Sequence, residues 1–226
     1  MTVLVLAPHA DDETLGMGGT IRRFVDQGRR VVVAVLTGHG DKKHPIWSEE
    51  VWDTIRAECR EACAELGVTE LYFRELPAAC LDYAPGWSIN NVISDLVKEV
   101  QPEELYIPFP YDLHRDHGAI AYGAGVAARP YTKSSSTIKR VLAYETLSET
   151  HLAYPYMAPA FQPNVFINIS ETLDHKLAAM QRYKSQLQAE NLPRSLASLK
   201  ALAQLRGSHI GVKAAEGFVL LGEYVR

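Results

Sequence analysis

Two short segments of the chain concentrate histidine and aspartate. They are residues 8–13, Pro-His-Ala-Asp-Asp-Glu, and residues 114–117, His-Arg-Asp-His. Imidazole and carboxylate groups are the donors that hold catalytic zinc, with three protein ligands and one position left for water. An acidic run before a helix can also serve only as a helix cap, and a single histidine is more often structural. Two such clusters in one chain favour a metal site, provided that the fold brings them together.

The spacing within the clusters suggests a role for each side chain. His9, Asp12 and His117 could supply two imidazoles and one carboxylate to a single ion. Asp11 would then lie beside the ion without binding it, which is the position that a general base needs. His114 is three residues from His117, so both imidazoles could face the same crevice. Two imidazoles and a carboxylate suit zinc, and they also suit iron(II) or another divalent metal.

The elements around these clusters follow a regular alternation. Apolar runs predict five buried strands, at residues 3–6, 31–36, 71–73, 105–107 and 141–144. Helical spacing predicts the helices between them, at residues 14–28, 48–66, 89–100 and 116–128. Such alternation indicates βαβ units, hence a Rossmann-like α/β fold with a mostly parallel sheet and helices on both faces. In the commonest strand order the first and fourth strands are neighbours, so both clusters would open into one crevice.

The last third of the chain is less regular. Residues 148–164 contain three prolines and three aromatic residues and predict a long loop. Beyond it we expect a strand at 165–169, helices at 171–187 and 194–205, and a terminal strand at 218–224. We therefore predict a single domain over residues 1–226, in which 1–145 form the Rossmann-like core. Residues 146–226 would complete the sheet and the substrate pocket.

Length and composition exclude several classes of protein. The chain has 226 residues and a net charge of −4, without the basic excess of a nucleic-acid binder. No apolar run is long enough for a membrane span, and the N-terminus lacks the pattern of a signal peptide. Three cysteines form neither a disulfide framework nor a zinc pair, so a cytoplasmic location is expected. Homo-oligomers are common among such proteins, and self-association is left open.

The two clusters together resemble a known family. Pro-His-x-Asp-Asp-Glu after the first strand, followed by His-x-Asp-His near mid-chain, resembles the PIG-L/LmbE-like N-deacetylases. Weaker similarities lie at residues 56–58 with 66–67, at 176–186, and at 206–207 with 215–218. The resemblance implies a zinc-dependent enzyme that removes acetyl from an N-acetylglucosaminyl compound, with a small amino sugar or its conjugate as substrate.

The resemblance also implies roles by position. His9, Asp12 and His117 match the metal ligands, and Asp11 matches the general base. His114 matches the histidine that stabilises the oxyanion or protonates the leaving amine. Asp116 matches a carboxylate that tunes a histidine.

The sequence does not assign a single role to either of two arginines. Arg56 is the candidate substrate-binding residue, and a solvated charge on the helix face is the alternative. Arg115 departs from the family, which commonly has proline there, and its role is open.

Two other functions stay open at this stage. One is a metallohydrolase that cleaves another amide or an ester at the same site. The other is a non-catalytic nucleotide-binding module, against which the missing G-x-G-x-x-G fingerprint speaks. The glycines at residues 16–19 are better explained by close packing of helix on sheet. His39 and His44 are expected to be solvated loop residues.

Overall fold

The chain folds around one seven-stranded sheet. A computed structural model describes residues 1–40 and 44–225. The strand order is β3-β2-β1-β4-β5-β7-β6. Strands β1 to β5 pair in parallel, and β7 is antiparallel to both β5 and β6. This confirms the predicted α/β class and mostly parallel sheet, and it makes β1 and β4 neighbours at the point where the strand order reverses.

The elements follow the predicted alternation. The strands are β1 Thr2–Ala7, β2 Arg30–Gly38, β3 Glu70–Pro77, β4 Glu104–Pro108, β5 Arg140–Tyr144, β6 Val165–Asn168 and β7 Ala215–Glu223. The helices are α1 Asp12–Asp26, α2 Glu49–Glu65, α3 Gly86–Val100, α4 Arg115–Ala127, α5 Leu173–Arg182 and α6 Leu196–Ser208. No helix in the described residues combines the length and apolarity needed to cross a membrane.

The central strands are apolar on both faces because helices cover both. Along β1, Val3 and Val5 pack into a core with α1, α2 and α5, whereas Leu4 and Leu6 pack into a second core with α3 and α4. Successive side chains of a strand point to opposite faces, so an unbroken apolar run is what two buried faces require. The two cores hold the strand ends, and thus the loops that follow them, in fixed positions.

Helix α1 is broken at Met17, whose backbone leaves helical geometry (φ −148°, ψ 24°). The ring of Tyr144 lies where a Cβ at position 16 would be, so Gly16 permits the close packing expected of this glycine-rich stretch. Beyond the break, the buried carboxylate of Glu216 accepts hydrogen bonds from the backbone N–H groups of Gly19 (3.1 Å) and Thr20 (2.7 Å). It thereby caps the second half of the helix.

Lys176 on α5 completes this arrangement from the other side of the break. Its ammonium donates to the carbonyl of Leu15 (2.9 Å) and to Glu216 (2.5 Å). Both charged side chains are buried, with about 4% of their surface exposed. The N-terminal half of α1, which begins with the first histidine–aspartate cluster, is therefore fastened to α5 and β7.

The predicted helix at 171–187 is wrong in its length. Helix α5 ends at Arg182, and Tyr183 leaves helical geometry (ψ 64°). The buried hydroxyl of Tyr183 donates to Glu13 at 2.6 Å. A side chain that reaches a buried carboxylate ends the helix earlier than apolar spacing alone predicts. As predicted, residues 148–164 form no helix or strand.

Removing the Lys176 ammonium should destabilise the fold strongly. Lys176→Met leaves the Glu216 carboxylate buried without its counter-charge, so we expect a loss of about 3–5 kcal/mol in the free energy of unfolding. Chemical denaturation measures this, and the double variant Lys176→Met/Glu216→Gln should recover part of the loss. Lys139→Met, which removes an exposed ion pair with Glu103, is the control. A loss no larger than that of the control would contradict the assignment.

Candidate active site

The loops after β1 and β4 bring both histidine–aspartate clusters to one edge of the sheet. His9, Asp12 and His117 each offer a ligand atom, and these atoms lie within 4.8 Å of one another. Oδ2 of Asp12 is 3.3 Å from Nδ1 of His9 and 3.3 Å from Nε2 of His117. Ligands about 2.0–2.1 Å from a tetrahedral zinc ion lie roughly 3.3–3.4 Å apart. The two closest separations therefore suit such an ion.

Two further carboxylates orient the histidines. Nδ1 of His117 bonds Asp112 at 2.8 Å, and Nε2 of His9 bonds Asp116 at 3.0 Å. With those nitrogens protonated, Nε2 of His117 and Nδ1 of His9 are the ring nitrogens that face Asp12 and that a metal ion, in place of a second proton, would bind. Nε2 of His117 is buried and has no hydrogen-bond partner among the described residues. A buried imidazole nitrogen without a partner, held by a carboxylate on its other side, is the arrangement that metal-binding histidines adopt.

The charges around the two histidines favour a cation. Burial works against protonation, but Asp116 and Asp12 outweigh it and raise the pKa of His9 to about 9. Asp12 and Asp112 similarly overcome burial and raise the pKa of His117 to about 10. Burial also opposes ionisation of Asp12, yet the two imidazoles hold the pKa of its carboxyl well below the usual value. Carboxylates exceed imidazoles here, so the cluster stabilises positive charge at its centre.

Asp11 lies beside this cluster in a strained backbone conformation. Its φ of 126° is unusual for a residue with a side chain, and such strain concentrates at functional sites. The fully buried Glu13 accepts the Asp11 N–H at 3.2 Å, which helps to hold that conformation. Burial and the Asp12 charge raise the pKa of the Asp11 carboxyl, while Arg194, whose Nη1 is 3.4 Å from Oδ2, opposes them. Asp11 is thus a buried carboxyl group with a guanidinium nearby to balance its charge when it is ionised.

His114 lies against His9, with ring centroids 4.4 Å apart. Its Nδ1 accepts the backbone N–H of Asp116 at 3.3 Å, so a neutral His114 carries its proton on Nε2. Burial and the neighbouring His9 lower the pKa of His114 to about 4. Arg115, in contrast, points to solvent with 81% of its side chain exposed and lies 3.6 Å from Asp82. Arg115 therefore lies outside the cluster.

A cavity of about 210 Å³ opens beside the cluster and is lined by His9, Asp11 and His114. Arg56 also lines it, and its guanidinium forms an ion pair with Glu75 at 2.5 Å. The structure thus brings Arg56 to the cavity, as a substrate-binding role requires.

Sequence reasoning missed several residues in the cavity lining and next to the cluster. His44 is buried, contrary to the expected solvated loop histidine, because its ring nitrogens bond the Ala78 carbonyl (2.8 Å) and the N–H groups of Ile46 and Trp47 (3.2 Å each). Asp112, Gln186, Arg194, Trp47 and Trp52 were also missed, and the last four line the cavity itself. Asp112 lies five residues before His117 in the sequence, and this short spacing could have identified it as a partner of that histidine. The others come from distant segments and carry no local pattern.

Comparison with known proteins now identifies the family. A sequence model described as "PIG-L: GlcNAc-PI de-N-acetylase" matches residues 4–128, which include both clusters. The chain belongs to the PIG-L family. The family resemblance that the sequence suggested is thereby confirmed, and the matched region holds the residues after β1 and β4.

Relatives and solved structures agree with this membership. The chain is 30% identical to the Bacillus cereus protein named "Probable N-acetyl-alpha-D-glucosaminyl L-malate deacetylase 2", over 83% of this chain and 84% of that one. It is 25% identical to the diacetylchitobiose deacetylase of Thermococcus kodakarensis, over 95% and 81%. The structure of GalB, a 4-carboxy-2-hydroxymuconate hydratase from Pseudomonas putida, superposes with a TM-score of 0.78 at 22% identity, covering 100% and 98%. That last likeness shows the fold alone.

Weakening the carboxylate behind His117 should weaken metal binding. Asp112→Asn removes the charge that orients His117, and such outer partners typically contribute 10- to 100-fold to metal affinity. Titration of the metal-free variant with zinc should show a loss in that range. Asp82→Asn, which affects only the exposed pair with Arg115, should bind like the parent protein. Equal affinities for all three proteins would contradict the assigned role.

Proposed function

We propose that this protein is a metal-dependent hydrolase that removes the N-acetyl group from an N-acetylglucosamine-type amino sugar or its conjugate. One observation carries the proposal: two imidazoles and a carboxylate converge on one point, and a separate buried carboxylate, Asp11, lines the same cavity. That combination suits hydrolysis of a bond as stable as an amide. Family membership and the deacetylase names of two relatives support the reaction and the amino-sugar substrate.

His9, Asp12 and His117 would hold the metal, with zinc as the proposed ion and iron(II) as one that the same donors suit. Their fit rests on the 3.3 Å separations and on the unpartnered Nε2 of His117. When bound, a divalent ion supplies a Lewis acid for the acetamide carbonyl and lowers the pKa of water. Asp116 and Asp112 hold the two imidazoles in the tautomers that this role needs.

Asp11 is the proposed general base. Its carboxylate lines the cavity, where it can take a proton from the attacking water. Arg194 at 3.4 Å steadies Oδ2 and balances its charge, and Glu13 holds the backbone that aims it. Once protonated, Asp11 carries the proton that the departing amine nitrogen needs. The Asp11 side chain thus takes a proton when water attacks and gives it up when the amine leaves.

His114 is the proposed oxyanion donor. The resemblance left two roles for it, oxyanion stabilisation or protonation of the amine. Because Nδ1 accepts the Asp116 N–H, the Nε2 proton is the one free to donate to oxygen charge that develops in the transition state. A neutral imidazole is a sound hydrogen-bond donor and a poor proton source, so the oxyanion role fits this geometry better. Arg56 is proposed to bind substrate hydroxyls at the cavity rim.

The structure is compatible with one of the two alternative functions and disfavours the other. A metallohydrolase of another amide or an ester would use the same side chains, and the fold it shares with a hydratase does not decide the reaction. A nucleotide-binding module is disfavoured, because Gly16 and Gly19 pack against Tyr144 and Ile169 and leave no phosphate loop.

Asp11→Asn tests the base. Asparagine has the same size and branching as aspartate and meets the same backbone strain, so we expect the variant to fold and to bind metal as the parent protein does. Loss of a general base should lower kcat by about 10²–10⁴-fold. Steady-state kinetics measures this, with metal content determined on the same preparation and Asp26→Asn, at the far end of α1, as the control. A kcat within threefold of the parent would remove Asp11 from the mechanism.

The substrate class is tested by acetate release. Purified enzyme with zinc should release acetate from N-acetylglucosamine or its glycosides and leave a free amine. A simple acetate ester serves as the comparison substrate. Hydrolysis of the ester but of no acetamido sugar would overturn the deacetylase proposal in favour of the broader metallohydrolase.

A further inference from the structure

An aromatic cluster stands directly beside the reaction centre. We call His44, Trp47 and Trp52 the aromatic wall. The rings of His44 and Trp47 stack with centroids 4.9 Å apart and an interplanar angle of 25°. Trp52 meets both edge-on, at 5.4 and 5.6 Å. Hydrogen bonds to both ring nitrogens fix His44, so Trp47 packs on a rigid support, and 38% of its surface remains exposed.

Two rings of the aromatic wall line the cavity beside the cluster. Trp47 and Trp52 both belong to its lining, and so does Asp11. Gln186 and Arg194 line the same cavity and bring an amide and a guanidinium group to it. Both groups can form hydrogen bonds with oxygen atoms of a ligand. The cavity thus combines a flat apolar surface with polar side chains that bind oxygen.

A pyranose ring has this same combination of surfaces. Its C–H groups form an apolar face, whereas its hydroxyl and ring oxygens lie at the edge. A long acyl chain would cover the aromatic wall but form no hydrogen bonds with Gln186 or Arg194. The cavity volume of about 210 Å³ also lies below the roughly 300–1,000 Å³ of sites for larger ligands. A single sugar unit matches that size better than an extended group.

We infer that the aromatic wall is the stacking platform for the hexosamine ring and that Trp47 determines specificity for a cyclic substrate. This inference rests on the proposed function. With the acetamide at the metal cluster, the ring lies against the Trp47 face, and its hydroxyl groups bind the side chains of Gln186 and Arg194. The wall then discriminates cyclic acetamido sugars from acyclic acetamides that carry the same reacting bond.

Paired substrates test the inference. The methyl glycoside of N-acetylglucosamine is compared with N-acetylethanolamine in the parent protein and in Trp47→Ala. For the sugar we expect KM to rise about 5- to 20-fold with kcat nearly unchanged, since stacking stabilises ground and transition states alike. For the acyclic acetamide kcat/KM should change less than twofold. Trp47→Phe should restore most of the sugar affinity, and Trp87→Ala, an exposed tryptophan outside this cavity, should match the parent.

Fluorescence gives a readout that does not depend on turnover. Glucosamine, the deacetylated sugar, should quench tryptophan emission of the parent protein and of Trp87→Phe. In Trp47→Phe, which keeps an aromatic ring and thus the fold, at least half of that quenching should be lost. Thermal unfolding of every variant shows that it is folded.

The two proposals fail in different ways. If the parent protein cleaves no acetamido sugar, the proposed function is overturned, and with it this inference. If the parent cleaves the sugar but Trp47→Ala leaves its KM unchanged, or weakens both substrates equally, the stacking role is overturned and the proposed function stands. Quenching that is unchanged in Trp47→Phe would likewise overturn the stacking role.

Discussion

The parallel pairing of β1 with β4 is the contact on which the site depends. It aligns Val3, Leu4 and Val5 with Glu104, Leu105 and Tyr106. Because both strands run in the same direction, the loops that follow them leave the sheet at the same edge. Residues about 100 positions apart in the chain thereby meet within hydrogen-bond distance. Two apolar cores clamp the sheet from both faces, so the meeting point does not shift.

The second constraint on the fold is that each buried charged side chain needs a partner of opposite charge. Such pairs occur at the site and behind it. At the site, three carboxylates surround two imidazoles. Behind it, Lys176 and Glu216 occupy the break in α1 and hold the segment that begins with Asp12. Burying such pairs adds little net stability, but removing either partner strongly destabilises the fold. The fold therefore tolerates few alternative placements of this segment.

The C-terminal third contributes to the site as well as to the sheet. Arg206 on α6 makes a two-pronged ion pair with Glu145, at 2.7 and 2.6 Å, and His151 reaches the same carboxylate at 2.9 Å. These contacts tether the start of the long loop to α6. The segment between α5 and α6 supplies Arg194 next to Asp11. A Rossmann-like sheet without this third would keep His9, Asp12 and His117 together and lose the guanidinium beside Asp11.

The sequence by itself determined the parallel sheet, the order of its elements and the two clusters, because apolar periodicity and strand-end chemistry are local patterns. His9, Asp11, Asp12, His114, Asp116 and His117 could all be selected from residue type and spacing. Only the tertiary structure decided the length of α5, the burial of His44 and the approach of Arg194, Trp47 and Trp52 to the site. The bond from Tyr183 to Glu13 spans 170 residues, and the pair of Arg194 with Asp11 spans 183. Contacts of that range depend on how helices pack on the sheet, and no window of sequence contains both partners.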